Sequence, residues 1–315
     1  MTFLFITFSK NTNTMESENH AELNRIFIWV NRRSLGTIFL KCLSHIPDSQ
    51  IVSGIFASCF YDGKDPTSEI PQSTKDKRNR ETSTHDFSDF PYVYDGSTCT
   101  YSWAKSQLEG DYPSTKILIC KDLPSFLSGK HEFIPEGFRH TFLIRHPYRM
   151  FQSLKTSSLS SYFPTSNLYE IINTYYKKQF ELKEQYHVLK YLQDHPQLAD
   201  PNPVVIDADD LQNHPASILS QYCEAVGLPF TDDLLRWKPG TDVVKNGRYH
   251  GKWLLQVYMG EMGRDSIKRQ WRVRSSWQQR NYQSDLNLVL THYNVPIRRC
   301  RTMRSCTVCA QFYLE

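Results

Sequence analysis

What the sequence lacks narrows its possibilities first. No apolar run approaches the ~20 residues that a membrane-spanning helix needs. The apolar start, Met1 to Phe8, is brief and has neither a basic flank nor a small-residue cleavage site, which predicts a frayed tail rather than a signal peptide. Charge of one sign is scarce. The 37 Lys+Arg stand against 33 Asp+Glu, a net +4 over 315 residues that excludes a nucleic-acid binder of the strongly basic kind. No internal repeat is present. Neither Gly-x-x-x-x-Gly-Lys-Ser/Thr nor Gly-x-Gly-x-x-Gly occurs, which excludes the usual nucleoside-triphosphate cradle and the dinucleotide loop. Metal-ligand patterns are thin as well. Of eight cysteines only Cys306 and Cys309 have ligand-like spacing, and one such pair does not supply the four ligands of a zinc site. Cys42, Cys120 and Cys223 sit inside apolar runs as small hydrophobes. Their scatter suits a reducing compartment, so the expected location is the cytoplasm, or a Golgi lumen if a segment precedes Met1.

What is present is enough for a core. A hydrophobic share of 39% rules out wholesale disorder. The organisation expected is a tail over 1–20, one domain over 21–296 with a flexible loop at 62–89, and a basic, cysteine-containing tail over 297–315. The charge run 75–81 mixes both signs, as a solvated loop does. Strands are expected at 25–30, 116–120, 140–144 and 203–206 from runs of bulky and β-branched residues. Helices are expected between them. Leu35, Ile38, Phe39, Cys42, Leu43 and Ile46 form one apolar face stopped by Pro47. Pro147 opens a helix behind the third strand, and a long helical stretch covers 168–192. Asn213 is expected as a cap, with Pro215 near the helix start and Gly227 closing it. Alternating strands and helices predict an α/β, three-layer αβα domain around a central, mostly parallel sheet.

In such a sheet ligands sit beyond the carboxyl ends of the strands. The first turn there has the chemistry of an anion site: a helix N-terminus, Arg32 and Arg33 for charge, Ser34 and Thr37 for hydroxyl bonds, and Gly36 for close backbone approach. Taken alone, the same residues also describe an ordinary helix start with two exposed arginines. A second turn follows the third strand, where Arg145 leaves the strand end and Ser153 lies eight residues on, two turns into a helix.

The stretch 140–153 resembles the 3′-phosphate motif of the PAPS-dependent sulfotransferase family, PAPS being 3′-phosphoadenosine-5′-phosphosulfate. In that motif an arginine ends a strand, a proline follows two residues later and a serine eight residues later, here Arg145, Pro147 and Ser153. The first turn then resembles the family's 5′-phosphosulfate loop in the variant P-R-S-x-S-T. Arg33, Ser34, Gly36 and Thr37 take its R, S, second S and T. Arg32 stands where proline is usual, and Gly36 replaces a hydroxyl residue. The resemblance spans about 21–260 and includes 117–122, 203–211 and 222–230.

It implies a P-loop NTPase-like sulfotransferase fold and transfer of a sulfuryl group from PAPS to a hydroxyl or amine of a carbohydrate or small-molecule acceptor. No metal, nucleic acid or transmembrane segment is implied. Arg33 would be the leaving-group cation. Asp122 holds the place of the family's histidine before Leu-Pro and would be the base, or would instead cap a helix starting near Pro124. Lys245 and the segment 251–253 resemble the late loop over the nucleotide. His146 is expected to order its turn, and Trp29 and Trp237 to lie in the core. Two other readings stay open: a nucleotide-binding protein of the same fold without turnover, and a P-loop kinase, for which Asp207, Asp209 and Asp210 are the metal candidates. Acceptor specificity would sit in 62–115 and 155–195.

Overall fold

The computed structural model describes residues 23–63, 93–94, 99–158, 183–198, 203–236 and 247–250. Both expected tails, nearly all of the 62–89 loop, Trp237, Lys245 and the segment 251–253 lie outside the described residues.

Among the described residues seven strands form one sheet: β1 Asn24–Val30, β2 Ser49–Ser53, β3 Val93–Tyr94, β4 Ile117–Asp122, β5 Arg139–Ile144, β6 Val205–Asp207 and β7 Gly247–His250. Their order is β3-β7-β2-β4-β1-β5-β6, and every pairing is parallel. Helices α1 Gly36–Leu43, α2 Ile55–Asp62, α3 Tyr101–Glu109, α4 Pro147–Ser158, α5 Lys183–Asp194, α6 Ala208–Asn213 and α7 Pro215–Val226 provide the crossovers.

The central strand β1 explains the layering. Its alternating side chains point to opposite faces. Ile26, Ile28 and Val30 join one buried cluster with Ile38, Phe39, Leu219 and Tyr222 from α1 and α7. Phe27 and Trp29 join another with Phe56, Ala104 and Val188 from α2, α3 and α5. A strand covered on both faces must be apolar throughout, which is why β1, β4 and β5 read so plainly in the sequence.

Several boundaries differ from expectation, each for a local reason. β4 runs on to Asp122, because Asp122 still pairs with Trp29 across the ladder. Leu35 is not in α1 but precedes it in a left-handed conformation, φ 68°. Asn213 is not the cap of α7: it ends α6, and His214 stands between the two helices without a side-chain cap bond. Gly227 does close α7, at φ 69°. Within 62–115, helix α3 is regular structure with Thr100 as its cap, accepting from the Trp103 N–H at 3.1 Å.

The order places the site. From β1 the chain moves out to β2, returns to β4 beside β1, then crosses to β5 on β1's other side. Trp29 is level with Asp122 on β4 and with Phe142 on β5. The carboxyl ends of β1, β4 and β5 therefore meet at a topological switch point, where α/β sheets open a crevice.

Candidate functional site at the strand ends

The turn after β1 departs from common backbone geometry. Arg33 and Leu35 both have positive φ, 64° and 68°, while Ser34 between them does not. Non-glycine residues occupy this region at a cost of order 1 kcal/mol each. Alternating φ signs fold successive N–H groups into a concavity that suits an anion, here at the start of α1. No N-cap side chain bonds the first turn of α1.

The hydroxyl of Ser34 donates to the Asn31 carbonyl at 2.6 Å and is fully buried, so it closes the turn from within. Thr37 is half-buried on the first helical turn. At Gly36 a Cβ would stand 3.1 Å from both Val30 methyls, so glycine permits α1 to approach β1. A larger residue at this position would need Val30 to give way.

The two turns are joined. Arg33 Nε donates to Ser153 Oγ at 3.2 Å, and the Arg145 guanidinium donates to the Arg33 carbonyl at 2.9 Å. Arg33, Arg145 and Ser153 are thus one cluster. Arg145 is 7% exposed, and burial pulls its pKa down while Asp209 opposes the shift. Two further contacts come from α6: Nε donates to Asp209 Oδ1 at 3.2 Å and a second terminal nitrogen to Gln212 Oε1 at 3.0 Å. Arg149 Nε lies 3.9 Å from Asp209 Oδ2. Arg32 is half-buried on the same turn, and His146 supplies the carbonyl that opens α4, accepting from the Arg149 and Met150 N–H groups.

Asp122 is the last residue of β4, and its carboxylate faces α2. Oδ2 accepts from the Phe56 N–H at 2.7 Å and the Ala57 N–H at 3.4 Å, and Oδ1 from the Leu123 N–H at 2.8 Å. It caps α2 from across the sheet and does not cap a helix at Pro124. At 1% exposure, burial raises its pKa to about 6 against the pull of the Leu123 and Phe56 N–H bonds.

Two positions beside the turns were not singled out in the sequence. Gln185 on α5 donates to the Trp29 and Leu143 carbonyls at 3.0 and 3.2 Å and accepts from Asn31 at 2.6 Å, tying the ends of β1 and β5. Beside it, buried Glu184 has Oε1 3.2 Å from His187 Nδ1 and Oε2 3.8 Å from His131 Nε2. Burial raises the Glu184 pKa, but the two histidines outweigh it and the net shift is downward. A histidine held by a carboxylate at one ring nitrogen can take a proton at the other. For those two, Glu-x-x-His over 184–187 was the one visible signal. Asp209, expected only as a metal candidate, pairs instead with Arg145 just beyond β5, a partner that no local pattern reveals.

Trp29 is core, fully buried, with its Nε1 donating to His140 Nδ1 at 3.2 Å. Among the described residues no three His, Cys, Asp or Glu side chains group as a metal would require, and no helix is long and apolar enough to cross a membrane.

The parallel α/β sheet thus carries two linked, arginine-bearing turns at its switch point. Residues 171–263 match the family model described as the sulfotransferase domain. That matched range begins after both strand-end turns.

A curated relative, the branched-chain-amino-acid aminotransferase-like protein 2 of Arabidopsis thaliana, is 29% identical over 127 residues; the match covers 40% of this chain and 19% of that protein. Three solved structures are similar. The sulfotransferase domain of the Synechococcus PCC 7002 olefin synthase is 13% identical at TM-score 0.39, covering 91% of this chain and all of that one. The sulfotransferase domain of the curacin biosynthetic pathway is 15% identical at TM-score 0.43, covering 88% and 99%. A sulfotransferase from Mycobacterium avium is 11% identical at TM-score 0.34, covering 86% and 76%.

Proposed function

We propose that the chain moves a sulfuryl group from PAPS to a hydroxyl or amine acceptor by in-line displacement. The observation that carries this reading is the Arg33–Ser153 and Arg145–Arg33 hydrogen-bond pair, which gathers the residues of two separate turns at one crevice. The residues suit the donor. The left-handed turn offers backbone N–H groups and Arg33 at one end, with Arg32, Gly36 and Thr37 alongside and Ser34 contributing its backbone. Arg145 and Ser153 stand at the other end, and Lys245 completes the proposed nucleotide set.

PAPS supplies an activated sulfuryl group on a phosphate leaving group. As the acceptor oxygen or nitrogen bonds to sulfur, the bond from sulfur to the bridging oxygen breaks and the phosphate keeps the electron pair. Arg33 and the N–H groups of the turn stabilise that growing charge. Arg33 stays ionised, so it acts as a cation and not as a proton donor. The acceptor proton needs a base. Asp122, bound by three N–H groups, enters as a positioning residue, and His187, held at Nδ1 by Glu184, is the candidate base.

The test is nucleotide binding followed by turnover. Melting temperature should rise with 3′,5′-adenosine bisphosphate and not with ATP and magnesium. With labelled PAPS and an acceptor panel, Arg33→Ala should lower turnover about a hundredfold. Stabilisation by ATP alone would defeat the reading. Binding without turnover would favour a second reading, a nucleotide-binding protein of the same fold, which the buried, bonded Asp122 also favours.

A further inference from the structure

We infer that Asp209 is an internal stand-in for a ligand phosphate and sets how strongly the chain prefers a 3′-phosphorylated nucleotide. The inference rests on the proposed nucleotide site and names the group that tunes it.

Asp209 lies between two guanidinium groups, one from the end of β5 and one from the first turn of α4: Oδ1 is 3.2 Å from Arg145 Nε and Oδ2 is 3.9 Å from Arg149 Nε. Two arginines converging on one anion from a strand end and a helix start is the arrangement by which proteins take phosphate. Here the anion belongs to the chain.

The two sides differ in freedom. Arg145 is buried and also anchored to the Arg33 carbonyl and to Gln212. The Asp209 side chain is 33% exposed. The arginine is the fixed partner, and the carboxylate is the one that can rotate into solvent. Charge favours such an exchange, because a phosphate near neutral pH carries close to two negative charges against two guanidinium groups, where Asp209 supplies one. A nucleotide without that phosphate has no reason to displace Asp209. One that has it must compete with it, so Asp209 reduces the gain in affinity that the extra phosphate would otherwise give.

The experiment titrates wild type, Asp209→Asn, Asp209→Ser and Asp209→Glu with 3′,5′-adenosine bisphosphate and with adenosine 5′-monophosphate by calorimetry. The readout is the ratio of the two affinities, which a general loss of structure would not raise. Removing the competing carboxylate, by Asn or by Ser, should raise the ratio for the bisphosphate about tenfold, the size of a partly exposed charge contact. The charge-retaining Glu variant should stay near wild type. If both nucleotides bind and the ratio does not move or falls in the Asn and Ser variants, the role of Asp209 is overturned while the nucleotide site stands. If neither nucleotide binds any of the four proteins, the site and the inference fall together.

Discussion

His140 and Asp122 are buried titratable residues with opposite responses to acid. The His140 ring lies between the Trp29 indole, which donates to Nδ1 at 3.2 Å, and the Pro135 carbonyl, 3.1 Å from Nε2. The donor on one side and the acceptor on the other define a neutral ring protonated at Nε2. Burial lowers its pKa to about 4. A lowered folded value means stability that is present above the unfolded value of 6.5 and lost as the pH falls toward 4, on the order of 3 kcal/mol. Asp122 works the other way. Its folded value of about 6 exceeds the ordinary 3.8, so the fold gains a proton and stability as the pH falls, and loses that gain as the pH rises through 6. We expect stability between pH 4 and 6.5 to be nearly level in wild type with respect to this pair. His140→Gln should become more stable as pH falls and Asp122→Asn less, as urea titrations at several pH values would measure. Parallel pH profiles in all three proteins would contradict the assignment. At this scale the anchors Arg33, Arg145 and Ser153 were legible through the two motifs that resemble those of the sulfotransferase family. Asp209 and Gln212, the partners of Arg145, and Gln185, which ties β1 to β5, could not, because each bond crosses between elements far apart in the chain.

Among the elements, α2 depends on a neighbour for its start. Its N-cap residue is Gly54, at φ 79°, which has no side chain to offer. The carboxylate of Asp122, at the end of the adjacent β4, meets the first N–H groups instead. Asp122→Ala should therefore cost about 2–3 kcal/mol, more than an exposed cap, because it leaves buried N–H groups without an acceptor. Asp122→Asn, which keeps one acceptor oxygen, should cost less. Equilibrium denaturation would rank the two, and equal stability of wild type and Asp122→Ala would refute the capping role. This remote cap also explains why α2 left no start signal in the sequence, whereas the local Thr100 cap of α3 was available to be read. β2, Ser49–Ser53, was obscured differently, since its first two residues are half-buried and polar. β1, β4 and β5, sealed on both faces, were the legible part of the fold.

At the scale of the molecule, two cores share one sheet, and β1 contributes to both. A strand common to both should make them unfold together. Buried thiols report on each. Cys42 and Cys223 lie in one cluster, Cys59 and Cys120 in the other. Burial raises the pKa of Cys42 and Cys120 and pushes Cys223 up to about 11, and contact with Cys99 followed by burial raises that of Cys59. Thiolate is the reactive form, so all four should be nearly inert in the native state. Pulsed alkylation across a urea gradient should show the four labelling together at one midpoint, and separate midpoints for the two pairs would disprove a shared unit.

The bond from Arg145 to Arg33 ends on a carbonyl of the main chain, not on a side chain. A carbonyl survives every substitution at its own position. Position 33 can therefore drift, exchanging one cation for another or losing it, while the two turns remain tethered. Position 145 has no such latitude, because its guanidinium is the tether. In any lineage that abandons the chemistry but keeps the scaffold, the arginine at 33 is expected to go first and that at 145 to persist.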